Sequence, residues 1–72
     1  MAEIAFGRRL TRWLVFRGFS QAQFAAAIGV SRASVSYWCR SVDGKIPGPK
    51  SMGKILRGLR IRIVRYYGPL PK

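Results

Sequence analysis

The sequence has no histidine, a single cysteine, Cys39, and only two carboxylates, Glu3 and Asp43. Imidazoles, thiolates and carboxylates do most of the proton transfer and metal ligation in proteins. A chain this poor in all three has few means of acid–base catalysis, so neither enzymatic activity nor a metal or other cofactor is expected. Cys39 cannot close an internal disulfide, which fits a reducing cytoplasm and leaves only an intermolecular bridge open. Long apolar runs are also missing. Arg, Gln or Lys interrupts each hydrophobic stretch before it reaches the roughly eighteen residues of a spanning helix. No signal peptide and no membrane partner are therefore expected.

What the chain has in excess is positive charge. Fourteen Lys and Arg give a formal net charge of +12, a self-repulsion that a polyanion would relieve. Nucleic acid is the leading candidate. Arg8, Arg9, Arg12 and Arg17 fall early, whereas Arg40, Lys45, Lys50, Lys54, Arg57, Arg60, Arg62 and Arg65 punctuate the second half. Apolar residues interleave with these charges as they do in folded elements, so the pattern is not that of a low-complexity basic tail. With 49% hydrophobic residues in 72, the chain suits one compact domain with a modest core and has no room for a second.

The periodicity predicts short helices. Over residues 2–17, Ile4, Phe6, Leu10, Trp13 and Leu14 recur at helical spacing, with Arg8, Arg9 and Arg12 on a face that reads either as solvated or as DNA-facing. Gly18 is a stop signal, and Ser20 is an N-cap for a second helix that begins with Gln21 and Gln23 and turns Phe24, Ala25 and Ile28 to the core. Gly29 permits a sharp corner, Val30 plugs it, and Ser31 caps a third helix with Val35 and Trp38 on its inner face. Residues 41–49 hold Asp43-Gly44 and Pro47-Gly48-Pro49 and read as a loop. A fourth helix follows, with Met52, Ile55, Leu56 and Leu59 as its stripe. The segment from Arg60 to Tyr67 alternates basic and apolar residues like a strand, although Leu59, Ile63 and Tyr66 also suit a helix. The expectation is a C-terminal strand or extended arm. The domain is expected to occupy residues 1–67, with 68–72 a flexible tail.

Gln21, Ala25, Gly29, Val30, Val35 and Trp38 satisfy the requirements of two short helices crossing at a tight turn. The residue at the crossing is small, the corner has a glycine, and the facing positions are apolar. On these residues, with Leu10, Trp13, Gly18-Phe19-Ser20-Gln21, Ile28-Gly29-Val30-Ser31 and Pro49, residues 6–59 resemble the lambda repressor and Cro class of helix-turn-helix domains. The resemblance implies a mostly all-α fold of four to five short helices with the helix-turn-helix at about residues 20–40. Members often carry an arginine in the first helix paired with a glutamate late in the third. Leu14 and Cys39 stand at those places here, so an apolar contact is expected in place of the pair. The usual fifth helix is not recognisable after Leu59.

The resemblance further implies a phage- or prophage-type transcriptional regulator, a repressor or Cro-type protein in the bacterial host cytoplasm or nucleoid, with double-stranded operator DNA as partner. Arg32, Ala33, Ser36 and Tyr37 would approach base edges in the major groove, and Gln21, Ser31, Ser34, Arg40, Lys45 and Lys50 would contact phosphates. An alternating strand at residues 60–67 would pair with its copy in a homodimer. The competing expectation is a small phage interaction module that binds host RNA polymerase or another regulator on the same scaffold.

Overall fold

The computed structural model describes residues 6–40 and 47–70. Five helices occur among them: α1 Phe6–Arg17, α2 Gln21–Ile28, α3 Arg32–Arg40, α4 Pro49–Leu59 and α5 Ile63–Tyr66. Their ends follow local chemistry. Gly18 leaves α1 in the left-handed region at φ 76°. Ser20 then caps α2 in a full capping box: its side chain accepts from the Gln23 amide at 3.1 Å, and the Gln23 side chain accepts from the Ser20 amide at 2.9 Å. Pro49 opens α4, where its missing N–H is of no consequence. Of the expected loop, residues 41–46, including Asp43 and Gly44, lie outside the described residues, as does Ile4 of the expected first helix. Pro47 and Gly48 lead into α4 without regular structure.

The stripes anticipated from periodicity meet in one core. Leu10 and Trp13 of α1, Phe24 and Ala25 of α2, Val35 of α3 and Ile55 and Leu59 of α4 are all buried. Burying a side chain of this size stabilises by about 1.5–3 kcal/mol, which leaves the interior, rather than helix propensity, to hold helices this short. α1 packs on α3, and α2 packs on both α3 and α4. Leu14 is buried, and Cys39 packs against the same cluster. The positions of the family's ion pair therefore belong to one apolar cluster.

The C-terminal segment corrects the sequence reading. Residues 60–67 form no strand or arm. Arg60 ends α4 in the left-handed region, Ile61 packs on the core, and α5 follows as a single helical turn. The amides of Tyr66 and Tyr67 donate to the carbonyls of Arg62 and Ile63 at 3.0 and 3.1 Å. A lone strand in a helical domain has no ladder to join, whereas one helical turn satisfies its own amides and drives Tyr66 inward. Tyr66 is fully buried, with its ring 5.5 Å from Phe6 and 6.4 Å from Trp13. The two-stranded ribbon expected between subunits loses its premise. Gly68 to Leu70, expected as the start of a flexible tail, lie against the domain. Arg9 holds the Gly68 carbonyl at 2.7 Å, and Leu70 packs on the core.

Candidate nucleic-acid interface

The corner between α2 and α3 sets the direction of α3. Gly29 stands at φ 74° and ψ 37°, which a glycine adopts without a Cβ clash, and its amide and that of Val30 both return to the Ala25 carbonyl. Ser31 then caps α3. Its hydroxyl oxygen accepts from the Ser34 amide at 3.1 Å and lies 3.0 Å from the Ser34 hydroxyl. Val30 packs inward and anchors the turn to the core.

Because Val35 and Trp38 bury one side of α3, the helical repeat directs the other side to solvent. Arg32 and Ala33 are exposed in its first turn, Tyr37 is 54% exposed one turn later, and Ser36 is half-buried between them. Arg40, exposed at the end of α3, donates from Nε to the Ser36 carbonyl at 3.3 Å, which lays its guanidinium along the helix end. The expected base-reading set is thus gathered on one helix. Of the expected phosphate set, Ser31 and Ser34 share the α3 cap, so their hydroxyls are already partly engaged. Gln21 is half-buried at the start of α2, among amides that precede the first intrahelical hydrogen bond. Lys50 is exposed in the first turn of α4. Lys45 lies outside the described residues.

The electrostatics are one-sided. Glu3 and Asp43 both lie outside the described residues, so every formal charge on the described side chains is positive. Arg9, grouped by its sequence context with Arg8 and Arg12, instead does structural work: its Nη1 donates to the carbonyls of Tyr66 at 2.9 Å and Gly68 at 2.7 Å. Trp13 Nε1 donates to the same Tyr66 carbonyl at 3.3 Å. Arg8 and Arg12 are exposed. The only sequence signal for the Arg9 contact is its place on the helix beside Phe6, Leu10 and Trp13, which does not reveal the distant carbonyls. Burial raises the pKa of Cys39 above the ordinary 9.0, a hydrogen bond with Thr11 opposing part of that rise, and the group stays protonated at neutral pH.

A solvated, cationic helix face on a two-helix corner can enter a groove of double-stranded DNA: the major groove admits an α-helix, and phosphates on both rims attract the flanking cations. No helix among the described residues is long and apolar enough to cross a membrane. A helix-turn-helix family model matches residues 17–65, which run from the end of α1 into α5. No curated protein matches the chain.

Proposed function

Since this chain belongs to the lambda repressor-like class of helix-turn-helix DNA-binding proteins, we propose that it is a sequence-specific transcriptional regulator that reads operator DNA with α3. The observation that carries this reading is the exposure of Arg32, Ala33 and Tyr37 on a helix whose opposite side, Val35 and Trp38, is locked in the core. In a major groove, Arg32 donates two hydrogen bonds to O6 and N7 of a guanine, a contact that discriminates by about 1–3 kcal/mol against other bases. Ala33 meets a thymine methyl, while Ser36 and Tyr37 contact the neighbouring base edges. Gln21, Ser31, Ser34, Arg40, Lys45 and Lys50 hold phosphates and fix the register without reading sequence.

The proposed role is that of a phage or prophage repressor or Cro-type protein, which occupies its site against polymerase in the bacterial cytoplasm and performs no catalysis. A homodimer on a palindromic site is part of the proposal. With the ribbon lost, the exposed side chains of Ile63 in α5 and Tyr67 immediately after it offer the contact between copies.

Selection of bound sites from a random duplex pool tests the reading. The wild-type chain is expected to enrich one site. Arg32→Ala is expected to relax the preference at one base position while keeping most non-specific affinity. Identical sites for both proteins remove Arg32 from the reading set. Binding that is weak, indifferent to sequence and abolished by moderate salt overturns the regulator and favours the interaction module for RNA polymerase or another regulator.

A further inference from the structure

A second cationic surface lies on α4, α5 and the link between them. Arg57, Arg60, Arg62 and Arg65 line an open groove of about 510 Å³, to which α3 contributes no residue. Its apolar wall is made by Leu56, Ile61 and Val64. Val64 is 76% exposed, so this wall is open to whatever enters. Arg65 is fixed from behind, its guanidinium 5.6 Å from the centre of the Trp13 ring.

The backbone gives an independent reason to regard the groove as a site. Arg60 sits at φ 59° and ψ 44° and is the only non-glycine with positive φ among the described residues. The left-handed positions after α1 and α2 are both glycine, Gly18 and Gly29. At the corresponding end of α4 the chain keeps a side chain where glycine would be relaxed, and that side chain lines the groove.

The lining also narrows the choice of occupant. A DNA backbone needs only the positive charge and gains nothing from Leu56, Ile61 and Val64. A purely apolar segment would cover that wall but leave four arginines without a counter-charge. A segment in which carboxylates flank a leucine or phenylalanine satisfies both features. We infer that the groove between α4 and α5 docks an acidic, apolar-anchored segment of a partner protein, on a surface separate from α3 and independent of its reading of DNA.

Fluorescence anisotropy on the full chain at physiological salt tests this with two labelled peptides of equal length and charge, glutamates interspersed with leucines in one and with serines in the other. The leucine peptide is expected to bind about tenfold more tightly. Val64→Ser is expected to remove most of that advantage and leave the serine peptide unchanged. Arg60→Gly is expected to weaken both peptides while the melting temperature holds or rises, which separates lost binding from lost folding. Arg32→Ala is expected to leave both affinities unchanged even if it alters the choice of DNA site. Equal affinity for the two peptides overturns the inference, because charge alone then explains binding. So does a loss of peptide with Arg32→Ala, which puts the peptide on α3. A loss of duplex affinity in Arg60→Gly and Val64→Ser as large as the loss of peptide assigns the groove to DNA. Dissociation of a wild-type dimer by Val64→Ser assigns it to a second copy.

Discussion

Two side chains, Arg9 and Tyr66, explain why the two ends of the domain are joined. The Arg9 guanidinium takes as its acceptors the backbone carbonyls of Tyr66, at the end of α5, and of Gly68 just beyond it. Tyr66 contributes its ring to the core, but its buried hydroxyl has no hydrogen-bond partner among the described residues. Removing an unsatisfied buried hydroxyl relieves a desolvation cost, so Tyr66→Phe is expected to be neutral or to stabilise by about 1 kcal/mol. The same residue sets an alkaline limit. Burial, reinforced by Tyr67 and Cys39 and opposed by Arg9, pushes its phenol far above the ordinary 10.0. The native state keeps the proton that the unfolded chain releases near that ordinary value. The Tyr66 contribution is therefore fully present below pH 10.0 and is lost progressively above it. Denaturant midpoints measured across this range should fall with rising pH in the wild type and less steeply in Tyr66→Phe. A variant destabilised at neutral pH would show that the hydroxyl has a partner.

At the scale of the elements, helix crossings depend on glycines whose role is spatial. A Cβ on Gly58 would run into the Ile28 side chain and come within 2.8 Å of Phe24 Cε1, where α4 crosses α2. A Cβ on Gly7 would stand 2.5 Å from the Cys39 carbonyl oxygen, at the contact of α1 with the end of α3. Gly53, in the same helix as Gly58, has nothing within 4 Å of the equivalent point. Helix propensity alone favours alanine over glycine by about 1 kcal/mol at both sites of α4. Gly53→Ala should therefore stabilise by up to that amount, while Gly58→Ala should destabilise by up to about 2 kcal/mol net, because an overpacking cost of about 1–3 kcal/mol exceeds the propensity gain. Urea midpoints of the two variants that move in the same direction would contradict this account of the α2–α4 crossing. The contrast also marks what the sequence can disclose. Ser20, Gly29 and the stripes of the first four helices are local signals, and they located the helix-turn-helix and the outward set on α3. The alternation of Arg60, Ile61, Arg62 and Ile63 misled because a helical turn and a strand share such a short pattern. Tyr66 decides between them only through Phe6 and Trp13, which are far away in sequence. The roles of Gly58 and Arg9 depend likewise on partners that periodicity does not identify.

At the scale of the whole molecule, a net charge of +12 over 72 residues acts on folding and on binding with opposite signs. With only two carboxylates in the chain, salt has few attractive pairs to screen and much repulsion to relieve. The melting temperature of the free protein should therefore rise with sodium chloride. DNA affinity should fall over the same range, because each neutralised phosphate releases counterions, and the log–log slope is about −0.9 for each such contact. Lys50 lies in the set assigned to phosphates, so Lys50→Ala should weaken binding evenly across sequences and make the slope shallower by about one unit. Arg62 belongs to the α4–α5 groove, and Arg62→Ala should leave the slope close to that of the wild type. Circular dichroism melts and duplex titrations over a common salt series read both effects. A melting temperature that fell with salt would mean that attractive pairs, not self-repulsion, dominate the folded state. Equal slope changes for Lys50→Ala and Arg62→Ala would spread the DNA footprint over the whole cationic surface and remove the distinction between its two faces.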